Sequence, residues 1–172
     1  MREQVVSYIF SNLRHPFKPT PMKSSERLEQ AIKKLYVAFH NDTLHPECCK
    51  SCAVGNICDT SESWKYLTDT HGSLELNYIG TVHQRFGRKM NGYAPKELLQ
   101  IEAVFLEGCG YSVPLIRNSK RPENPTDKEV LFNGLSATVA FLCQLDGISN
   151  VMDYSKLFEF ENNKPKHELT FA

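Results

Sequence analysis

Net charge is the first thing this 172-residue chain lacks: 20 lysines and arginines stand against 20 aspartates and glutamates. A dedicated nucleic-acid-binding surface carries excess base to meet phosphate, so the balance argues against that class of partner. No run approaches the roughly 20 apolar residues that span a bilayer. The apolar stretch from Val5 to Phe10 is broken by Ser7. It is too short for the core of a secretion signal and no small-residue cleavage site follows it, which predicts a cytoplasmic protein. No glycine-rich loop of the dinucleotide-binding type follows a strand, so NADH and flavin binding find no support in motif. Internal repeats and coiled-coil heptads are also missing.

What is present is a globular composition, 41% hydrophobic and 23% charged, in a chain of about one domain's length. The apolar spacing is helical almost throughout. Leu28, Ala31, Ile32, Leu35, Tyr36 and Phe39 mark one face of a helix that Ser24 or Ser25 caps and that ends near His40. Pro95 opens a second strong helix, broadly apolar from Leu98 to Leu106 and closed by Gly108-Cys109-Gly110. A third runs from Thr126 or Asp127 to about Leu145. Shorter helices are expected at 1–12, 48–54, 62–70, 81–89 and 150–160, the fourth-named of these burying Val82, Phe86 and Met90. The prediction is an all-α fold, a compact single-domain bundle of five to seven helices with little or no strand. Residues 1–22 form an N-terminal helix and proline-rich arm, 23–160 the helical domain, and 161–172 a polar tail. The arm offers a docking element for a protein partner or for a second copy of the chain.

The chemistry lies between residues 45 and 58. Four of the six cysteines, Cys48, Cys49, Cys52 and Cys58, fall there, with His45 just ahead of them. In a reducing compartment clustered cysteines signal metal or redox chemistry more than disulfides. The spacing Cys49-x-x-Cys52 lets two thiolates turn to one ion, as in zinc and iron–sulfur sites. There is no second such pair, so a complete site must recruit residues distant in sequence. The candidate metal ligands are Cys49, Cys52 and Cys48, with Cys109, His71 and His40 as recruits. Two other readings stay open. The cysteines are core residues of a non-enzymatic interaction module, since free cysteine is among the most buried side chains. Alternatively Cys49 and Cys52 form a thiol redox pair at a helix N-terminus, which favours thiolate. Cys143, in an apolar helix, reads as core, and Cys109 as either ligand or loop residue.

Several segments resemble a family of small Bacteroidota proteins identified as the F component of Na+-translocating NADH-quinone reductase. They are Ala38-Phe39-His40, Pro46-Glu47-Cys48-Cys49, Cys52-Ala53-Val54-Gly55-Asn56, Leu76-Asn77-Tyr78, Phe86-Gly87-Arg88, Leu98 to Ala103, Gly108-Cys109-Gly110-Tyr111, Asn124 to Lys128 and Asn150 to Asp153. The resemblance implies electron transfer through an iron–sulfur centre. It also implies that Cys49, Cys52, Cys109, His40 and His71 matter more than Cys58 and His45, whose positions vary in that family.

Other constellations carry less. A cysteine nucleophile, Cys52 or Cys109, with His71 as base and Asp69 as orienter is disfavoured, because Asp69 and His71 lie too close along one expected helix. Glu97 and Glu102 face different directions on theirs and read as solvated surface. The basic, aromatic run His83 to Lys89 reads as a solvated helix face with Phe86 turned into the core.

Overall fold

The computed structural model describes residues 25–148; the expected arm at 1–22, the helix at 150–160 and the tail at 161–172 lie outside them. Five α-helices and one 3-10 turn make up the described residues, with no strand or sheet among them. In chain order they are α1 (Glu26–His40), α2 (Ala53–Ile57), the 3-10 turn Ser63–Leu67, α3 (Tyr78–Arg85), α4 (Pro95–Gly108) and α5 (Lys128–Leu145). The all-α expectation holds.

Local chemistry sets the helix starts. Ser25 Oγ accepts the Leu28 N–H and Asp127 Oδ1 accepts the Glu129 N–H, so two of the expected caps operate. Pro95 occupies the first turn of α4, where its missing N–H costs nothing, and Glu97 Oε2 reaches back to the Ala94 N–H at 2.7 Å. α4 and α5 form the central pair. They approach closely because glycines face each other: a Cβ on Gly108 would stand 2.9 Å from the Gly134 Cα. α1 packs on α2 and α5, α2 on α4, and α3 on α4 and the 3-10 turn. Arg27 ties three of these together, bonding Asp146 after α5, the Gly92 carbonyl and Glu97 of α4.

Five local expectations need correction. The cysteine segment is helical only from Ala53, not from Cys48. Residues 45–52 instead form a closed run of turns, in which His45 donates to the Ser51 carbonyl at 2.9 Å and Cys52 to the Cys48 carbonyl at 2.7 Å. Gly55 lies inside α2 rather than ending it. The 62–70 helix shrinks to the 3-10 turn, which still buries Trp64 and Leu67 as expected. The 81–89 helix starts earlier, because Asn77 caps the Gly80 N–H at 2.9 Å. Phe86 is 76% exposed and Tyr78 83% exposed. The reason is Gly80, whose Cβ would lie 2.2 Å from the Leu67 carbonyl oxygen. α3 docks through that glycine, and at about 100° per residue Phe86 sits roughly 120° round the helix from it.

A Cβ at Gly55 would meet the Cys49 carbonyl oxygen at 2.4 Å and Lys50 backbone at 2.5 Å, whereas a Cβ at Gly87 meets nothing within 4 Å. Gly55→Ala is therefore expected to lower stability by about 3 kcal/mol, since backbone cannot yield as a side-chain tip can. Gly87→Ala, whose only penalty is its positive φ, is expected to cost about 1 kcal/mol. Urea denaturation of both variants checks the contrast.

Candidate functional site

The turn at 45–52, the segment after the 3-10 turn and the middle of α4 converge on one polar cluster. Trp64 starts the assembly. Its indole Nε1 donates to the Cys49 carbonyl at 2.8 Å, and its ring meets the His71 ring edge-on with centroids 5.5 Å apart. His71 is also fixed through its backbone, where its carbonyl accepts from Leu115 N–H at 2.8 Å and Gly72 follows at φ +79°.

His71 is engaged at both ring nitrogens. Nε2 lies 2.8 Å from Glu102 Oε1, and Nδ1 lies 4.0 Å from Cys49 Sγ. Glu102 is 0% exposed. Its other oxygen accepts the Val54 N–H at 3.1 Å, which ties the first turn of α2 to α4. With Glu102 as a carboxylate, which only accepts, Nε2 is the donor of the His71–Glu102 contact and Nδ1 faces the thiol. Cys52 lies beside both, its Sγ accepting the Gly55 N–H at 3.3 Å and standing 3.6 Å from the Cys49 carbonyl oxygen. The result is one cluster: the imidazole stands between the Cys49 thiol and the buried carboxylate, and the Cys52 thiol lies within 4.8 Å of both imidazole and carboxylate.

Among the described residues, Cys52, His71 and Glu102 form the trio whose ligand atoms lie within 4.8 Å of one another. Of the six residues expected to ligate metal, the fold thus joins Cys52 and His71 directly, and brings Cys49 to the opposite nitrogen of His71. The others stand apart from the trio. Cys48 is exposed at the turn. Cys109 caps the end of α4 against Gly134, whose added Cβ would lie 2.3 Å from its sulfur. His40 is exposed at the end of α1 with its ring on Tyr36 and Phe39. Cys58 and Cys143 are core residues.

Glu102 is the residue that sequence reasoning missed, and the reading of it as solvated surface is corrected. The signal was available: it lies four residues after Leu98 and three and four before Phe105 and Leu106, all buried. A carboxylate inside an apolar stripe at helical spacing is buried for a reason. Asp69 is not the orienter of His71; its Oδ1 accepts from Asn77 Nδ2 at 3.0 Å instead.

The thiols differ electrostatically. Cys48 is held below the ordinary value, first by the Lys50 N–H and then by the Ser51 hydroxyl. Cys49 is raised, by burial first and by the charge of Glu102 second, with Lys65 opposing. Burial and then Glu102 push Cys52 well up. A cavity of about 180 Å³ opens on Cys49, lined also by Trp64, Lys65, Thr68, Asp69 and His71.

Comparison with family models, with curated proteins and with solved structures finds no match for this chain. Among the described residues, no helix is long and apolar enough to cross a membrane.

Burial raises Cys58 from 9.0 to about 11 and Cys109 to about 12. Between these values and the unfolded ones the folded state holds more protons, so stability is full below pH 9 and falls as pH rises through that window. For Cys58 the loss is about 2–3 kcal/mol by pH 11. Cys58→Ala is expected to flatten the alkaline limb by that amount in urea titrations taken at successive pH values.

Proposed function

We propose that this protein is a thiol–disulfide exchange protein in which Cys49 is the nucleophile, His71 its base, Glu102 the group that positions His71, and Cys52 the resolving thiol. The observation that carries the reading is the two-sided engagement of His71, with a thiol at Nδ1 and a buried carboxylate at Nε2. A thiol raised by burial is a poor nucleophile until a base takes its proton, and an imidazole in contact supplies one. The Glu102 contact sets the tautomer that makes Nδ1 the acceptor. The 4.0 Å separation is long, as such contacts commonly are before a ligand closes the site.

The second cysteine argues for exchange rather than for acyl transfer. In the first step Cys49 sulfur bonds to one sulfur of a disulfide, the disulfide bond breaks, and the departing thiolate takes the proton held by His71. In the second, Cys52 gives its proton to the vacated His71, its sulfur bonds to the Cys49 sulfur, the mixed-disulfide bond breaks, and the departing half takes that proton and leaves as a thiol, so that Cys49 is joined to Cys52.

A second reading is metal binding by Cys52, His71 and Glu102, favoured by the convergence of one sulfur, one imidazole and one carboxylate. The donor mixture suits zinc. It carries a single thiolate, which fits an iron–sulfur centre less well. Two features favour exchange over this reading. All three side chains already have hydrogen-bond partners, as given above. The His71–Glu102 separation of 2.8 Å is a hydrogen-bond distance, shorter than the roughly 3.3 Å edge between two ligands held about 2.0–2.1 Å from zinc.

In a Cys48→Ser background, Cys49 is expected to react with 4,4′-dithiodipyridine at neutral pH, and His71→Ala to slow it on the order of 100-fold. Stopped-flow absorbance measures this. Peptide mapping should then find Cys49 joined to Cys52, and Cys52→Ser should halt the reaction at the mixed disulfide. A Cys49 rate indifferent to His71→Ala removes the proposal. One equivalent of zinc retained by the purified protein and lost in Glu102→Gln would support the metal reading instead.

A further inference from the structure

Two residues of opposite charge line the cavity over Cys49. Lys65 lines it, and its ammonium pairs with Glu62 at 3.0 Å in a partly exposed contact worth little to stability, so it is free to exchange partners. Asp69 lines it as well. One of its oxygens is held by Asn77 Nδ2, and the other has no partner among the described residues. Trp64 forms an apolar wall. At about 180 Å³ the space lies below the roughly 300 Å³ at which pockets for drug-sized ligands begin. It suits a group the size of one amino acid that bears an anion, a cation and a sulfur.

We infer that this cavity takes one half of a small zwitterionic disulfide of the amino-acid type, its carboxylate against Lys65, its ammonium against Asp69 and its sulfur presented to Cys49. The inference rests on the exchange reading above and adds the substrate class to it. The chemistry balances without an added oxidant, because the disulfide accepts the electron pair. Cys49 sulfur bonds to the seated sulfur, the ligand's sulfur–sulfur bond breaks, and the second half leaves as a thiol carrying the proton that Cys49 gave to His71. Cys52 then displaces the seated half, so two thiols depart for one disulfide consumed. A single point charge at the site would favour an anion or a cation alone. The two opposite charges of Lys65 and Asp69 select a molecule that carries both.

The test uses the full-length reduced protein with Cys48→Ser and Cys52→Ser, so that the mixed disulfide accumulates, and three symmetrical disulfides: cystine, which is zwitterionic; cystamine, which is cationic; and dithiodipropionate, which is anionic. Each rate of mixed-disulfide formation at Cys49, followed by intact mass, is divided by that of a small free thiol with the same disulfide. Cystine is expected to exceed each of the others by about threefold, one modest charge pair separating it from each. Lys65→Met is expected to erase the advantage over cystamine, and Asp69→Asn the advantage over dithiodipropionate, with both variants still reacting at Cys49. Equal normalised rates for the three disulfides, or a cystine preference that survives both substitutions, overturns the inference while leaving exchange at Cys49 intact. If His71→Ala changes none of the three rates, the exchange reading fails and the inference with it.

Discussion

Glu102 is a fully buried carboxylate in the middle of the central helix, and the architecture around the site follows from satisfying it. Leaving such a group unpaired costs several kcal/mol, so donors must be delivered to it from separate parts of the chain. The Val54 N–H arrives from the first turn of α2 and the His71 imidazole from the segment after the 3-10 turn. Meeting that demand brings the CxxC turn and His71 against the same helix. Removing the carboxylate therefore disconnects the site and loosens α2 and His71 together. A buried pair of this kind is weak evidence for stability as such, but it fixes the orientation of an imidazole well.

Trp64 supplies the complementary constraint from the other side. Its indole N–H holds the Cys49 carbonyl while its ring edges the imidazole, so the distance between thiol and base is governed by one rigid, buried side chain. The two cysteines of the CxxC spacing are then treated differently. Cys49 borders a cavity, and Cys52 is enclosed. That asymmetry suits an attacking and a resolving thiol better than it suits two equivalent ligands of one ion.

The helical class, the Ser25 and Asp127 caps, the proline start of α4 and the buried faces of α4, α5 and, apart from the exposed Tyr36, α1 were legible in the sequence, because each depends on neighbours within one or two turns. That Cys49, Cys52 and His71 gather in one place was legible too, from the spacing of the first two and the need for a distant partner. The role of Glu102 was not read, although its place among Leu98, Phe105 and Leu106 was the clue. A helical pattern shows that a charge is buried, and only the fold shows which donors meet it. The outward turn of Phe86 was hidden for a related reason. α3 carries an apolar stripe that predicts an inner face, but the close approach at Gly80 decides which side docks, and a missing side chain leaves no hydrophobic signal. Cys109 and His40 failed as recruits because α4's end packs on α5 and α1's end faces solvent.

The central claim is that His71 carries its proton on Nε2, toward Glu102, and turns Nδ1 to Cys49. Long-range proton–nitrogen correlation spectra of the 15N-labelled protein report that tautomer directly. The account predicts a protonated Nε2 whose signals are unchanged by a metal chelator. A proton on Nδ1 with Nε2 bare, or an Nε2 occupied by a metal that the chelator removes, would contradict it.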